Sequence, residues 1–345
     1  MLRHLRRLTG PVEAAGPQAC AIAVYADATA RTFPAADLGY EGVACVDDAA
    51  RAAILLGDVW EATGSASLRG WATGLLDFVH YMQLDDGRFV NFITGWDGAR
   101  NMTGPTSFPG GGFWQARGMR ALAKAWLVFD DERARRGLLR GLAFVRGERD
   151  VPPDIRSIHA MTAMDLLRAG RMPELRADLE RWCDEIAALR RGAVLLDNPD
   201  ESEPHLWGHV QEGVLADAGA FLGRPDLVAI ARASALAYLA PLIASGFDAP
   251  TVQPYGVASA IHCVDRLAAA TGEPLFADLA AQARAWFDGR NPSGRPVYDR
   301  QQGRVHDGVD DGVLNPHSGA ESNIVAAQAL LDDVIRLAAP AARTA

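Results

Sequence analysis

A group of acidic residues lies where the first long helix of the chain is predicted to begin. The stretch from Tyr40 to Arg51 contains Glu41, Asp47 and Asp48. One aspartate is enough to cap a helix N-terminus and to interact with the helix dipole. Two adjacent aspartates, with Glu41 upstream and Arg51 one turn later, exceed that structural need. We therefore treat Glu41, Asp47 and Asp48 as candidates for substrate binding or proton transfer.

A second polar group combines histidines with acids. His205, His209 and Glu212 are spaced by four and three residues, which would place them near one helix face. Trp207 lies between the histidines, whereas the acidic run 197–203 is typical of a solvated loop. The pattern makes Glu212 a candidate acid or base and the other three candidate substrate contacts. Because no His-Glu-x-x-His arrangement is present, we assign neither a metal nor a cofactor.

A third polar group lies near the end of the chain. Ser318 and Glu321 have the spacing of a capping box, which is the structural alternative to a catalytic role for Glu321. Asp307 and His317 precede this helix start and are candidate substrate contacts. No Gly-x-Ser-x-Gly elbow occurs in the sequence, so the pattern does not favour a serine hydrolase.

Aromatic and isolated histidine side chains are further candidates to contact a substrate. Trp96 and Trp114 flank a glycine-rich loop, which lacks the lysine of a phosphate-binding loop. Such rings suit stacking on a sugar, although Trp114 would also suit the start of a core helix. Tyr255 is another candidate contact. His159 is included too, although a lone histidine on an apolar face is more often a core residue.

The overall composition argues against several classes of function. The net charge is −9, and no basic run is present that would neutralise nucleic-acid phosphates. The sequence shows no secretory signal pattern and no uninterrupted apolar run long enough to span a membrane. The four cysteines are far apart, which is typical of a reducing compartment. We therefore expect a soluble cytoplasmic protein that binds neither nucleic acid nor membranes.

Helical periodicity dominates the rest of the sequence. Turns at Gly64, Gly170, Gly223 and Gly272 separate paired helical segments, and Asp130 takes the same place in a fifth turn. Within the segments, apolar residues recur at i, i+3 and i+4 spacing. The predicted helices are 46–62, 66–83, 113–129, 132–148, 154–169, 173–191, 206–222, 225–245, 255–271, 274–288 and 319–337.

Short connections alternate with long ones along this helical chain. The long loops are 84–112, 192–205, 246–254 and 289–318. Long loops on a rigid scaffold are the usual sites of function, and these carry many of the candidate residues. We predict one all-α domain over residues 1–345, a toroid of helical hairpins, in which the irregular segment 1–40 closes the ring.

Four stretches of the sequence resemble a known superfamily. They are Val46–Arg51, Asp86–Phe92, Trp286–Asn291, and the run from Tyr298 through Asp307-Gly308 to Ser322. Their order and spacing over residues 40–335 resemble the six-hairpin glycosidases, the (α/α)6 toroids. More narrowly, the chain is similar to a bacterial toroid domain that is often encoded beside, or fused to, glycosyltransferases. Where such relatives tend to carry an Asp-Asn pair before the seventh helix, this chain has His205–His209.

The resemblance implies an oligosaccharide substrate. Glycoside hydrolysis needs a proton donor and a second carboxylate as base or nucleophile. We expect an inverting hydrolase, in which Asp47 or Asp48 pairs with Glu212 or Glu321. A helix N-terminus favours the ionised form, so Asp48 is expected to be the base. Burial beside Trp207 is expected to raise the pKa of Glu212, the acid.

Two other functions fit the same residues. A sugar epimerase or isomerase would use histidines as acid and base, with His159, His205, His209 and His262 as candidates. A non-catalytic glycan-binding partner of a glycosyltransferase would need no acid or base. The acids at the predicted helix starts favour an enzyme, because their mutual repulsion costs stability unless they serve a function.

Overall fold

Helices dominate the described part of the chain, which is residues 1–35 and 39–339 of a computed structural model. The helices are α1 (Leu2–Leu8), α2 (Val46–Thr63), α3 (Ala66–Met82), α4 (Gly112–Phe129), α5 (Glu132–Gly147), α6 (Pro153–Arg168), α7 (Leu175–Ala188), α8 (Gln211–Leu222), α9 (Pro225–Ala237), α10 (Leu239–Ala244), α11 (Pro254–Thr271), α12 (Pro274–Arg284), α13 (Ala320–Ala329) and α14 (Leu331–Ala338). The strands are β1 (Thr9–Pro11), β2 (Cys20–Ile22), β3 (Tyr25–Ala26), β4 (Thr32–Phe33), β5 (Ala44–Cys45), β6 (Phe92–Ile93), β7 (Arg190–Arg191), β8 (Val194–Leu195), β9 (Thr251–Val252), β10 (Tyr298–Asp299), β11 (Arg304–Val305), β12 (Val309–Asp310) and β13 (Val313–Leu314).

The described residues form two compact units, each built from helical hairpins. Unit 1 comprises 1–147, 300–305 and the chain from 317 onward, and unit 2 comprises 148–299 and 306–316. In unit 1, α2 pairs with α3 and α4 pairs with α5, while α4 and α13 both pack against α2. In unit 2, the pairs are α6 with α7, α8 with α9 and α11 with α12, and α8 contacts both α6 and α11. The predicted helical hairpins are confirmed, whereas the single domain stays a prediction.

Residues in the left-handed conformation end the first helix of several hairpins. α2, α8 and α11 end at Gly64, Gly223 and Gly272, whose φ angles are 67°, 72° and 69°. Glycine adopts this conformation readily because it has no Cβ atom to clash with the backbone. Asp130 ends α4 in the same conformation, with a φ of 53°. These turns were predicted from the sequence.

Several predicted helices have different bounds in the structure. The helix predicted over 173–191 spans only Leu175–Ala188, and Arg190–Arg191 forms β7 instead. The helix predicted over 274–288 ends at Arg284 and continues as a 3-10 turn over Ala285–Asp288. The helix predicted over 206–222 begins only at Gln211, because the preceding residues form a turn. The helix predicted over 225–245 is divided at Tyr238 into α9 and α10. Pro241 explains this break, since it has no N–H to donate one turn back along the helix. The helix predicted over 319–337 is divided at Leu330 into α13 and α14.

The N-terminal segment is more regular than predicted. It contains α1 and the antiparallel pairs β1–β2 and β3–β4. α1 packs against α13, and the ring Nε2 of His4 lies 2.9 Å from the carbonyl oxygen of Ser318. The Val24 N–H donates to the carbonyl of Val43 at 3.1 Å, and the Val24 carbonyl accepts the N–H of Ala320 at 2.9 Å. The segment therefore fastens the starts of α2 and α13 to each other within unit 1.

One helical stretch has the length and average hydropathy of a membrane span. Pro225–Ala244 covers α9 and α10, and 33% of its most apolar window is buried. This stretch was not expected from the sequence, because it contains polar residues and is not an uninterrupted apolar run. The stretch packs against α8 and carries Arg232, which pairs with Glu273 at 2.7 Å. A helix that packs on one side of a compact unit can have the same length and hydropathy, so this stretch is weak support for a membrane span.

Candidate functional site

In unit 1, five charged side chains form a carboxylate–arginine cluster. Its members are Asp47, Asp48 and Arg51 on α2, Arg117 on α4 and Glu321 on α13. The start of α2 is held by the pairing of β5 with β6 and by a hydrogen bond of 2.9 Å from the N–H of Val46 to the carbonyl of Asn91. The packing of α4 and α13 against α2 brings their charged residues to the same place.

Arg51 is shared between two carboxylates of this cluster. Its Nη2 lies 2.8 Å from Asp48 Oδ1 and 2.7 Å from Glu321 Oε2. Arg117 Nη1 lies 2.8 Å from Asp47 Oδ1. The structure therefore brings together three of the four acids that the sequence marked as catalytic, and it pairs each of them with an arginine.

Asp48 titrates differently from the expectation at a helix start. Burial raises its pKa to about 6; Arg51 acts in the opposite direction, and the charges of Glu321 and Asp47 add to the rise. The thiol of Cys45 also lies 3.5 Å from Asp48 Oδ2. We expected the helix dipole to favour the ionised form of this carboxyl group. The loss of solvent outweighs the dipole, but a carboxyl group with a pKa of about 6 is mostly ionised at neutral pH, so the role of Asp48 as the base stays a prediction.

The carboxylates of this cluster differ in their access to solvent. The side chain of Glu321 is 40% exposed and that of Asp47 is 16% exposed, whereas that of Asp48 is 2% exposed. A substrate can therefore meet Glu321 and Asp47 directly. Asp48 is buried and pairs with Arg51.

Glu41 and Trp114, two predicted substrate contacts, have structural partners instead. Glu41 Oε2 accepts the N–H of Thr106 at 3.1 Å and also accepts the hydroxyl of that residue, which fastens the loop before α4. Trp114 is 8% exposed, and its indole N–H is shared by the carbonyls of Phe89 and Phe108 at 3.1 and 3.0 Å. Trp114 is therefore the core residue that the sequence analysis named as its alternative.

The remaining predicted contacts are partly exposed. Trp96 is 37% exposed, and its ring lies over Gly10. His317 is half-buried in unit 1, with its ring centroid 5.2 Å from that of Phe33. Tyr255 and Asp307 are half-buried in unit 2. Substrate binding by these four residues stays a prediction.

In unit 2, a histidine–carboxylate cluster is built around a buried imidazole. Its members are Asp154 on α6, Asp197 after β8, His205 and His209 before α8, and Glu212 on α8. Nδ1 of His209 lies 2.8 Å from Asp197 Oδ1, and its Nε2 lies 2.8 Å from Glu212 Oε2. Both ring nitrogens therefore face a carboxylate.

The central residues of this cluster are fully engaged with one another. Burial opposes a charge on His209, but Glu212 and Asp197 outweigh burial and raise the pKa of His209 to about 10. Burial also opposes the charges of Glu212 and Asp197, yet His209 lowers the pKa of both. The hydroxyl of Ser234 donates to Glu212 at 2.5 Å, and the amide of Gln211 donates to Asp197 at 2.8 Å. His209 is therefore a cation held between two carboxylates.

This arrangement contradicts the expected role of Glu212 as a general acid. Such an acid needs a raised pKa and access to the substrate. Glu212 has a lowered pKa and is 0% exposed. Trp207 does not shield it, because Trp207 is 43% exposed and stacks on His205. The expectation failed because the sequence did not show that Glu212 is fully buried or that Asp197 contacts the other ring nitrogen of His209.

His205 is the member of this cluster that combines solvent access with a titratable ring. Its side chain is 13% exposed, and its ring stacks on that of Trp207 at a centroid distance of 3.9 Å and an angle of 13°. Nε2 lies 3.4 Å from Asp154 Oδ2. Burial opposes the protonated form, but the interaction with Asp154 and the charge of Asp197 outweigh it, so the pKa of His205 is raised. Burial also raises the pKa of Asp154.

A strained turn presents His205 and Trp207. Leu206 has a φ of 67°, and the N–H of Trp207 donates to the carbonyl of His205 at 2.8 Å, which is the geometry of a γ-turn. The Leu206 side chain packs on Gly256 of α11, where a Cβ atom would lie 2.9 Å from it. Backbone strain of this kind costs roughly 1–3 kcal/mol and concentrates at functional sites.

Three residues of the same cluster could hold a metal ion. One ligand atom each from Asp154, Asp197 and His205 lies within 4.8 Å of the others. Carboxylate oxygens and an imidazole nitrogen are ligands that zinc and related divalent ions accept. A metal ion and a proton would compete for the same ring nitrogen of His205. From the sequence we assigned no metal here and expected residues 197–203 to form a solvated loop, whereas Asp197 is 0% exposed.

Two other histidines considered as acid or base are placed differently. His159 is 2% exposed on α6, its ring centroid lies 5.9 Å from that of Trp182, and burial lowers its pKa to about 3. His159 is therefore a neutral core residue. His262 is half-buried on α11, where it packs on Gly213 of α8.

Three residues of the two clusters were missed from the sequence. Asp154 begins a helix directly after two prolines, which is the pattern that drew attention to Asp47, so this signal was present. Asp197 was noticed but was assigned to a solvated loop, and Arg117 had no such signal. Arg117 lies inside α4, and only the packing of α4 against α2 brings it to Asp47.

The fold is shared with solved structures of sugar enzymes, although no protein-family model and no curated protein matches the sequence. A D-mannose isomerase is similar with a TM-score of 0.72 and 10% identity, covering 97% of both chains. A cellobiose 2-epimerase from Bacillus thermoamylovorans is similar with a TM-score of 0.69 and 10% identity, covering 96% of both. A family 76 glycoside hydrolase from a bovine Bacteroides thetaiotaomicron strain has a TM-score of 0.64 and 10% identity, covering 96% of this chain and 76% of that one. The predicted fold class, an all-α (α/α)6 toroid, is confirmed.

Proposed function

We propose that the protein is a carbohydrate-active enzyme that isomerises or epimerises a sugar, with His205 as its acid and base. The observation that carries this proposal is the geometry at His205. The ring is partly exposed, it lies 3.4 Å from Asp154, and it stacks on a Trp207 that is itself 43% exposed. The similarity in fold to a D-mannose isomerase and a cellobiose 2-epimerase supports the same class of reaction.

The proposed chemistry is proton transfer beside the carbonyl group of an open-chain sugar. Neutral His205 removes the proton from the carbon next to the carbonyl, and the electron pair of that bond forms an enediolate with its negative charge on the former carbonyl oxygen. For isomerisation, a proton passes from the neighbouring hydroxyl to that oxygen, and protonated His205 returns its proton to the former carbonyl carbon. For epimerisation, the intermediate turns about its C–C bond, and protonated His205 returns its proton to the opposite face of the original carbon. A positioned base whose pKa lies near the working pH contributes roughly 10²–10⁴-fold to such a step. Asp154 orients the imidazole and stabilises its protonated form.

Deuterium exchange tests this proposal directly. The protein is incubated with mannose, fructose, glucose or cellobiose in D2O, and deuterium at the carbon next to the carbonyl is followed by NMR and mass spectrometry. We expect exchange in the wild type and a loss of roughly 10²-fold or more in His205→Gln. His80→Gln is the matched control, because it alters a half-buried histidine on α3 that is not a candidate acid or base, and it should retain exchange. Equal exchange in both variants would exclude His205 as the base.

Glycoside hydrolysis is a second candidate function, supported by the carboxylate–arginine cluster. Asp47 and Glu321 are partly exposed carboxylates at adjacent helix starts, as acid–base hydrolysis of a glycosidic bond requires. This function predicts release of a smaller sugar from an oligosaccharide, and it predicts loss of that release in Asp47→Asn and Glu321→Gln. Products are read by chromatography and mass, with and without phosphate. Release that is unchanged in both variants would reject this assignment.

The narrower resemblance noted in the sequence supports a proposal about context. We propose that the enzyme acts in the cytoplasm on a glycan made by a glycosyltransferase that is encoded nearby. Assaying the protein on the products of such a glycosyltransferase, and on its sugar donors and acceptors, tests this. Activity confined to free monosaccharides would contradict it.

A further inference from the structure

Five aromatic rings form a continuous row in unit 1, which we call the aromatic row. Its members in order are His317, Phe33, Tyr25, Tyr40 and Phe92, with successive centroid distances of 5.2, 5.7, 6.0 and 6.5 Å. Tyr25 and Phe33 are parallel to within 12°. Tyr25 and Phe33 lie on β3 and β4 and Phe92 lies on β6, whereas Tyr40 precedes β5 and His317 precedes α13. Of these rings, only that of His317 was a candidate from the sequence.

The aromatic row is open to solvent at its centre. Tyr40 is 44% exposed, and Tyr25 and Phe33 are half-buried, whereas Phe92 is 3% exposed. Phe92 belongs to a small core with Ala35 and Cys45, against which Tyr25 packs. The exposed rings are therefore fixed on a packed base. Contiguous exposed apolar surface of this kind marks a binding site more often than a chance arrangement does.

The backbone joins this row to the carboxylate–arginine cluster. Tyr25 follows Val24, whose N–H and carbonyl bond to the segments that lead into α2 and α13. The N–H of Ser318 also bonds to the carbonyl of Ala26 at 2.9 Å. The residues directly after these contacts include Asp47 and Glu321, the two partly exposed acids of the cluster. The strands that carry Tyr25 are therefore hydrogen-bonded to the segments that lead into the carboxylate–arginine cluster.

The charges beside the row favour a neutral ligand. Three carboxylates face two guanidinium groups, so the cluster has no excess of positive charge to attract a phosphate or a carboxylate. Paired carboxylates and guanidiniums offer both acceptors and donors to hydroxyl groups. A few polar groups beside aromatic surfaces are the usual composition of a small-molecule site.

We propose that the aromatic row binds a neutral oligosaccharide. Sugar rings stack on Tyr40 and Tyr25, and their hydroxyl groups hydrogen-bond to Glu321 and Asp47. This inference rests on the proposed function for the class of ligand and uses no residue of the His205 site, although Asp47 and Glu321 are also the acids of the candidate hydrolase. It adds a substrate-binding surface, and it specifies an uncharged sugar of more than one residue.

Calorimetric titration of the full chain tests this surface, with cellotetraose, mannotetraose and glucose 6-phosphate as probes. We expect a tetrasaccharide to bind and glucose 6-phosphate not to bind. Tyr40→Ala should weaken tetrasaccharide binding about tenfold, as truncation of an aromatic contact commonly does. Phe108→Ala is the matched control, since Phe108 is 45% exposed and Tyr40 is 44% exposed. Phe108→Ala should leave the dissociation constant unchanged, and Tyr40→Phe should retain binding because the ring is kept.

A measurement on the wild type distinguishes the loss of a Tyr40 contact from a folding defect in Tyr40→Ala. Saturation transfer from tyrosine ring protons to the bound tetrasaccharide should be seen in the wild type and in Phe108→Ala. The His205→Gln variant should lose exchange activity and retain tetrasaccharide binding, which distinguishes this inference from the proposed function. The inference is overturned if neither tetrasaccharide binds, if glucose 6-phosphate is preferred, or if a correctly folded Tyr40→Ala binds like the wild type.

Discussion

The two charged clusters differ in how their carboxylates are neutralised and in how far they are exposed to solvent. In unit 1, arginines pair with acids at the starts of helices, and Glu321 and Asp47 keep contact with solvent. In unit 2, Asp197, His209 and Glu212 are each 0% exposed and neutralise one another. A buried charge needs a partner of opposite charge. A fully buried carboxylate that is engaged with such partners is not accessible to a substrate. The comparison therefore separates residues that build a site from residues at its edge that can react, such as His205.

The largest effect is expected from breaking the buried triad of unit 2. Glu212→Gln leaves the cation of His209 with one carboxylate, and breaking a buried ion pair costs roughly 3–5 kcal/mol. The free energy of unfolding is measured by denaturant titration followed by circular dichroism. Glu203→Gln is the control, because Glu203 is exposed in the preceding loop and its loss should cost little. A Glu212→Gln protein as stable as wild type would show that the triad is not a structural unit.

A smaller loss is expected from Arg51→Met in unit 1. This change removes the partner of both Asp48 and Glu321, but Asp48 can take up a proton because burial has already raised its pKa to about 6. We expect a loss of about 2 kcal/mol, within the range for hydrogen bonds to charged groups. Glu321→Gln should cost less than about 1 kcal/mol, since a partly exposed ion pair contributes little. Equal costs for the two variants would mean that Asp48 does not depend on Arg51.

The two clusters should lose stability in different pH ranges. His209 has a pKa raised from 6.5 to about 10, so its contribution is complete below 6.5 and is lost as pH rises through about 10. Asp48 has a pKa raised from 3.8 to about 6, so its contribution is complete below 3.8 and is lost as pH rises through about 6. Each lost proton changes stability by up to about 1.4 kcal/mol per pH unit. Unfolding of wild type and Glu212→Gln across this range checks the assignment, because the variant should lose the slope at alkaline pH.

A smaller effect on stability than that of Arg51→Met is expected from Gly256→Ala. The added methyl group would lie 2.9 Å from the Leu206 side chain, which must move and take the γ-turn with it. The cost of this overpacking is about 1 kcal/mol or more, partly offset by the better helix propensity of alanine. The NMR titration of His205 should nevertheless move toward an ordinary histidine pKa as its contact with Asp154 loosens. Gly70→Ala on α3 is the control, since nothing lies within 4 Å of its Cβ position. An unchanged His205 titration would show that the turn does not hold the ring in place.

Local sequence patterns were sufficient for the helices and their ends. Periodicity predicted α2 to within one residue, and the glycines at 64, 223 and 272 ended helices where expected because the left-handed conformation is a local preference. The start of α8 was placed too early, since the positive φ of Leu206 depends on a contact with α11. Residue types also predicted that Asp47 and Asp48 lie at a helix start.

The identity of the reactive groups was decided only by tertiary structure. The pKa shifts of Glu212 and Asp48 are the reverse of those expected. His209 lowers the pKa of Glu212, and burial raises the pKa of Asp48. Arg117 reaches Asp47 only through the packing of α4 on α2. The sequence by itself determined where helices begin and which acids stand there, since both depend on near neighbours in the chain. A pKa depends on solvent and on charges within a few ångströms, and those are set by the packing of residues that are far apart in sequence.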